Sequence, residues 1–317
     1  VLGRDASPLA VRIARTKTWL PGRARLRAME DAAARMAAET LEHVRLRRRF
    51  PGPRPRDADW FPAHVVHELA WLRAGVAAVQ DAEMREVLEL CLSSILVKVS
   101  RRASDTDERV RERKVTPGAA SRLLAARAAE LAERLRALAA DVAVGGDGGR
   151  APVAAPPTPQ LTVGDARNLA GIEDLSVDAI LTSPPYPNTY DYLDLQRLRL
   201  RWLELDAGLL AETEIGARRL FKTPNAGLKR WDRDGERWVA EVARVLKPGG
   251  WCVVLMGDGM VGATVIRADE SLVSWARRAG LAVVAVAAQE RPQLEFRMRR
   301  AYGKGSRLEI LAALRRG

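Results

Sequence analysis

The spacing of apolar residues changes once along this chain, and that change divides it into two kinds of structure. Before the change, apolar residues recur at helical spacing, and they predict four long helices over residues 24–49, 62–79, 82–101 and 117–143. Thr116 and Pro117 indicate the N-cap and first residue of the last of these helices. Residues 145–160 are rich in glycine and then proline, which predicts a linker.

Short apolar runs alternate with helical stretches after the linker, as in a parallel sheet covered by helices. Strands are expected over residues 161–163, 177–181, 251–256, 281–287 and 307–314, and helices over residues 193–205, 236–246 and 268–279. The stretch before the last strand is poor in helical pattern, which predicts an antiparallel edge strand. We therefore expect an α/β fold with a mostly parallel sheet, one antiparallel edge strand and a large helical insertion.

The pattern also predicts domain boundaries. Residues 1–22 would begin the sheet domain, residues 23–145 would form the helical insertion, and residues 161–317 would complete the sheet domain after a linker over residues 146–160.

Charge and composition narrow the classes of partner. The formal net charge of +12 favours a polyanionic partner, and the run Arg47, Arg48 and Arg49 could follow phosphates. A basic surface without any partner is the alternative. The two cysteines lie in apolar runs, so we expect neither a disulfide nor a metal site. No membrane span or signal sequence is recognisable, and a cytoplasmic protein is expected.

The sequence Thr182-Ser183-Pro184-Pro185-Tyr186 follows an expected strand, at the end where open α/β sheets bind ligands. Two consecutive prolines fix φ and remove two backbone donors, so nearby carbonyls can accept hydrogen bonds from another molecule. An amino group suits the Ser183 hydroxyl and the Pro184 carbonyl, and Tyr186 offers a face on which a flipped base can stack. The alternative is a strand-ending turn that merely contains two prolines.

The motif Ser183-Pro184-Pro185-Tyr186 resembles the catalytic motif of the S-adenosylmethionine-dependent amino-methyltransferases that act on DNA. The resemblance implies a Rossmann-like methyltransferase sheet and methyl transfer to the exocyclic amino group of a flipped base in double-stranded DNA. In that family Ser-Pro-Pro-Tyr is associated more with cytosine N4 than with adenine N6. Methylation of adenine N6 in DNA or of a base in RNA, and a DNA-binding subunit with a defective cofactor site, remain as alternatives.

Further residues match the family in order and spacing. The resemblance implies that Asp5 holds the cofactor ribose and that Asp165 accepts from its adenine amino group. The complete expected sets are Asp5, Ser7, Pro8, Asp165, Ala166 and Ser183 for the cofactor, and Tyr186, Asn188, Tyr190, Tyr192, Arg47, Arg48 and Arg49 for DNA.

The first strand and glycine loop of that family have no counterpart before Asp5. Residues 257–262 read G-x-G-x-x-G after a strand, but no strand ending in an acidic residue follows at the spacing a dinucleotide site requires. We therefore expect the missing loop to come from residues upstream of Val1 or from a partner chain.

Overall fold

Helices fill most of the first half of the chain, and strands alternate with helices in the second half, as predicted. The computed structural model describes residues 1–49, 51–52, 58–104, 107–110, 114–144, 158–293, 296–303 and 305–317. Most of the expected linker lies outside these residues. The helices are α1 (Pro8–Lys17), α2 (Gly22–Arg45), α3 (Ala63–Ala77), α4 (Ala82–Ile95), α5 (Ala119–Val144), α6 (Tyr192–Leu195), α7 (Arg197–Trp202), α8 (Gly208–Thr213), α9 (Pro224–Val245), α10 (Ala268–Arg278) and α11 (Phe296–Tyr302). The strands are β1 (Leu2–Asp5), β2 (Arg102–Ser104), β3 (Asp107–Val110), β4 (Gln160–Val163), β5 (Val177–Thr182), β6 (Leu246–Gly257), β7 (Gly259–Val261), β8 (Thr264–Ile266), β9 (Leu281–Arg291) and β10 (Arg307–Arg316).

Contacts between residues divide the chain into two compact units. The helical unit comprises Val1–Gly3, Pro8–Thr162 and Leu195–Ala207, and the sheet unit comprises Arg4–Ser7, Val163–Asp194 and Gly208–Gly317. Within the described part of the chain, no helix combines the length and apolar character needed to cross a lipid bilayer.

The helical unit has its own apolar core, to which α2, α3, α4 and α5 contribute. The prediction that Thr116 and Pro117 begin the last helix is wrong, because α5 starts at Ala119. Glu68 of α3 is fully buried, and its carboxylate accepts hydrogen bonds from the N–H groups of Gly118 and Ala120 at 2.5 and 3.1 Å. A carboxylate from another helix therefore satisfies the first N–H groups of α5.

The sheet unit contains a four-stranded sheet in the order β5-β6-β10-β9. β5 and β6 are parallel, whereas β10 is antiparallel to both of its neighbours. These strands and their helices confirm the predicted α/β fold class and the antiparallel last strand. That strand lies between β6 and β9, however, and not at the edge. Ile310, Ala312 and Leu314 of this strand face the core and are buried, as expected for a strand with a neighbour on each side.

The two faces of this sheet differ in exposure. Cys252, Val254 and Met256 of β6 are fully buried on the face that packs in the core. Trp251 and Leu311 belong to the opposite face and are 39 % and 47 % exposed. On that face the cross-strand pairs between β6 and β10 form one row, whose members are Trp251 with Arg315, Val253 with Ala313, Leu255 with Leu311, and Gly257 with Glu309.

β1 and β4 form a separate two-stranded sheet. Gln160 N–H donates to the Val1 carbonyl at 2.9 Å and Gly164 N–H donates to the Asp5 carbonyl at 3.0 Å, so the two strands are parallel. Among the described strands, β5 pairs only with β6, and Leu181 near its end is 81 % exposed. The expected single sheet is thus present as two separate sheets in the described part of the chain.

The core of the sheet unit is built around an indole. Trp275 of α10 is fully buried, and the rings of Trp231 and Trp238 of α9 lie 5.2 and 6.3 Å from it, centroid to centroid. Its Nε1 donates to Asp232 at 2.7 Å. Gly235 of α9 faces Trp275 so closely that no side chain fits between them. This close approach requires glycine in the middle of a helix, where alanine is ordinarily favoured by about 1 kcal/mol.

Candidate active site

The diproline loop follows directly from the end of β5. Ser183 is exposed, whereas Pro184 is buried. Neither the Ser183 hydroxyl nor the Pro184 carbonyl makes a hydrogen bond to another residue in the described part of the chain. Pro184 and Pro185 lack an N–H group, so they contribute carbonyl acceptors to the loop but no backbone donors. Both acceptors are therefore unpaired within the described part of the chain.

Tyr186 is held from two other strands. Its hydroxyl donates a hydrogen bond to Glu309 of β10, which also accepts from Arg291 of β9. A methyl group placed on Gly257 of β6 would lie 2.5 Å from Cε2 and 2.6 Å from Cδ2 of the Tyr186 ring. Burial and the neighbouring Glu309 carboxylate raise the pKa of Tyr186, so its hydroxyl remains a donor at neutral pH.

Asn188 fixes the chain after the motif. It has a φ of 55°, in the left-handed region, and its side-chain amide donates to the Met260 carbonyl at 2.7 Å. Its backbone N–H donates to the Gly216 carbonyl at 2.9 Å. A Cβ on Gly259 would collide with the Pro187 carbonyl oxygen. The close contacts of Gly257 and Gly259 with the motif loop explain why this segment needs glycine at both positions.

Tyr190 and Tyr192 lie together beyond the motif, with ring centroids 5.6 Å apart and planes inclined by 41°. Tyr190 is 44 % exposed. The buried carboxylate of Glu214 accepts from the N–H of Tyr192 at 2.6 Å and pairs with Arg219, which also binds Asp191. These ion pairs stabilise the loop that carries both rings.

Asp5 and Asp165 lie at the ends of neighbouring parallel strands, because Asp5 closes β1 and Asp165 follows β4 by two residues. Oδ1 of Asp5 accepts from the Ser7 N–H at 2.7 Å. Desolvation raises the pKa of Asp5, and this hydrogen bond opposes the shift. Burial raises the pKa of Tyr192, and the charge of Asp5 adds to that shift, so the two side chains lie within electrostatic range.

Asp165 is paired with a residue that the sequence pattern did not single out. The backbone N–H, Nε and Nη2 of Arg167 all donate to its carboxylate at 2.8 to 3.1 Å. The same guanidinium binds the buried Asp234 at 2.8 Å. Burial opposes ionisation of Asp165, but the hydrogen bonds from Arg167 outweigh it and lower its pKa.

The other expected residues are spread over both units. Ser7 is buried in the sheet unit, Ala166 is exposed in the turn after β4, and Pro8 begins α1 of the helical unit. Arg47, Arg48 and Arg49 are exposed beyond the end of α2, also in the helical unit.

Glu309, Arg167 and Glu214 contact the predicted residues but were not identified from the sequence. One sequence feature could have drawn attention to Glu309, because it is the single acidic residue of β10. The glycines at 257 and 259 were noted as a loop pattern, whereas their role in packing depends on long-range contacts.

No family model and no curated protein sequence matches the chain. Among solved structures, a candidate DNA modification methylase from Thermus thermophilus, in complex with S-adenosyl-L-methionine, is similar over 49 % of this chain and 51 % of that chain, with 21 % identity and a TM-score of 0.31. Another structure of that protein gives 24 % identity, coverages of 49 % and 52 %, and a TM-score of 0.30. A SAM-dependent methyltransferase from Methanosarcina mazei is similar over 58 % of this chain and 77 % of that chain, with 13 % identity and a TM-score of 0.28. The chain spans about half the length of the Thermus protein, and these low scores assign it no function.

Proposed function

We propose that this chain is an S-adenosylmethionine-dependent DNA methyltransferase that modifies the exocyclic amino group of a flipped base, with cytosine N4 as the acceptor. The observation that carries the proposal is a pair of acceptors, Ser183 Oγ and the Pro184 carbonyl, which have no partner among the described residues and lie next to the fixed ring of Tyr186. The lone pair of a base amino nitrogen is delocalised into the ring. Acceptors on both of its N–H bonds favour a pyramidal and more nucleophilic nitrogen.

The carboxylates at the ends of β1 and β4 fit the polar groups of the cofactor. Oδ2 of Asp5 has no hydrogen-bond partner in the described part of the chain, so it can accept from ribose hydroxyls. Asp165 receives three N–H groups from Arg167, and a carboxylate with about four acceptor sites can take one more, from an adenine amino group. Ser7, Pro8 and Ala166 adjoin these acids. When bound, S-adenosylmethionine would supply an activated methyl group.

The residues of the motif would act by positioning. Ser183 and Pro184 orient the amino group, and Tyr186 supplies the surface on which the flipped base stacks. The exposed ring of Tyr190, together with Asn188 and Tyr192, would contact the flipped nucleotide or its neighbours. No covalent bond between protein and base is needed, which agrees with burial of both cysteines.

The charge of the chain supports a nucleic acid as the substrate. The net charge of +12 and the exposed Arg47, Arg48 and Arg49 favour contacts with phosphates. Binding of the complete protein to duplex DNA should therefore weaken steeply as salt is added.

The open edge of β5 supports one addition to this proposal. An exposed, unpaired parallel strand is a template for another strand. A further strand paired with this edge would bring the glycine loop with it.

The direct test measures transfer of tritiated methyl groups to mixed-sequence duplex DNA. Ser183→Ala should lower kcat by about 10²-fold, the usual loss for one hydrogen-bonding group that acts in the transition state. Tyr186→Ala should lower kcat/KM by about 10-fold to 100-fold, as expected for loss of base stacking. Ser176→Ala is the matched control, because Ser176 is exposed just before β5 and its hydroxyl donates only to the Glu173 carbonyl. Full transfer by both motif variants would exclude the proposed site.

The same preparation distinguishes the alternatives. Mass spectrometry of digested products separates N4-methylcytosine from N6-methyladenine, and parallel assays on RNA test that substrate. Calorimetry with S-adenosylmethionine tests the alternative of a DNA-binding subunit, which requires that no cofactor binds.

A further inference from the structure

Three strands converge on the side chain of Tyr186. The motif follows β5, Gly257 ends β6, and Glu309 lies on β10 directly opposite Gly257 in the sheet register. Gly257 contacts one side of the tyrosine ring, and Glu309 accepts the hydrogen bond from its hydroxyl. The ring is thus fixed both along its side and at its tip.

Glu309 is itself fixed. Its side chain is only 14 % exposed and pairs with Arg291 of β9, so one carboxylate oxygen is held by the guanidinium while the other accepts from Tyr186. The negative charge of Glu309 is balanced by Arg291 and, at longer range, by Arg307. A charged acceptor with a fixed position makes a stronger and better oriented hydrogen bond than a mobile surface carboxylate.

The segment that contains Gly257 is held in turn by a buried acid. Asp258 is fully buried and accepts from the N–H groups of Ala268 and Leu308 at 2.9 and 3.0 Å, and it pairs with Arg267. The glycine segment therefore serves as a rigid support for the motif loop.

We propose that Glu309 is a positioning residue, which fixes the ring of Tyr186 against Gly257 in the orientation that stacks the target base. This role rests on the function proposed above. A tyrosine side chain turns about two torsions, and base stacking needs one orientation of its plane. The hydrogen bond at the hydroxyl limits rotation about the first torsion, and the contact with Gly257 limits rotation of the ring plane about the second. Glu309 acts through Tyr186 and does not contact the base.

A double-mutant cycle tests whether Glu309 acts through the tyrosine hydroxyl. Glu309→Leu and Tyr186→Phe should each lower kcat/KM for DNA by about 10-fold, the effect of one hydrogen bond to a charged group, with the S-adenosylmethionine Kd unchanged. The double variant should be no worse than either single variant, because both remove the same interaction. Glu309→Gln keeps an acceptor oxygen and should restore most of the activity. Losses that multiply in the double variant would overturn the positioning role.

A second measurement reports on the ring without any turnover. The chain has four tyrosines, so protein labelled with 3-fluorotyrosine should give four ¹⁹F resonances, and Tyr186→Phe identifies that of Tyr186. Glu309→Leu and Gly257→Ala should shift this resonance. Glu290→Gln is the matched control, because Glu290 of β9 bonds to Ser306 and not to Tyr186.

The two measurements separate the two proposals. If the wild-type chain binds no cofactor and transfers no methyl group, the proposed function fails, whatever the spectra show. If the wild-type chain is active but the Tyr186 resonance stays in place in Glu309→Leu, the positioning role alone fails.

Discussion

Gly235→Ala should destabilise the sheet unit, although the same change stabilises most helices. A methyl group on Gly235 would overlap Cε2 and Cζ2 of Trp275 and lie 2.5 Å from Cη2. Trp275 has no room to retreat, because it is fully buried against Trp231 and Trp238 and is tied to Asp232 through Nε1.

Three contributions determine how much Gly235→Ala changes the free energy of unfolding. Alanine gains about 1 kcal/mol over glycine in a helix interior. Overpacking a rigid core costs about 1 to 3 kcal/mol and more when ring atoms overlap. Displacement of the Trp275 indole would also weaken its hydrogen bond to Asp232, worth about 1 kcal/mol. We expect the free energy of unfolding to fall by about 2 kcal/mol.

Gly75→Ala is the control for this reasoning. Gly75 lies inside α3, and an added Cβ would be 2.9 Å from Cγ and 3.0 Å from Sδ of Met36, a flexible side chain that can move aside. Its free energy of unfolding should be unchanged or higher. Urea unfolding followed by tryptophan fluorescence and circular dichroism measures both variants. The reasoning is refuted if Gly235→Ala is as stable as Gly75→Ala.

Three further predictions concern buried and paired groups. Burial raises the pKa of Cys91 and of Cys252 to about 12, so neither thiol should react with a disulfide reagent at pH 8 until urea unfolds the chain. Asp258→Asn puts an amide where three donors converge, and urea unfolding should show a loss of about 3 kcal/mol. Asp165 has a lowered pKa through Arg167, so its contribution to stability is present above pH 4 and lost as pH falls through the lowered pKa. Asp165→Asn should therefore reduce the difference in stability between pH 6 and pH 3, and an undiminished difference would contradict the assignment.

The elements of the fold were largely readable from local pattern. The strand expected over residues 177–181 is β5, one residue longer, and the helix expected over residues 268–279 is α10, one residue shorter. The place of β10 inside the sheet was not readable, because hydrophobic alternation gives the faces of a strand but not its neighbours.

The residues of the candidate site were likewise predicted only in part from the sequence. The sequence identified the motif and the acids that end β1 and follow β4, since each stands beside a strand end. It did not identify Glu309 as the partner of Tyr186, because 123 residues separate them and only the register of β10 on β6 brings them together. Arg167 was missed for another reason: it stands two residues from Asp165, but its second partner, Asp234, lies on α9.

The row of cross-strand pairs on the open face of the sheet has a consequence for how this chain can vary. Trp251 and Leu311 are exposed to water on this face, so polar replacements there should be accepted, whereas those at Val254 or Ala312 should not. In a saturation mutagenesis library, tolerance to polar substitutions should therefore alternate from one residue to the next along β6 and β10. This alternation should end at the last pair of the row, Gly257 with Glu309, because Tyr186 packs against that end of the open face.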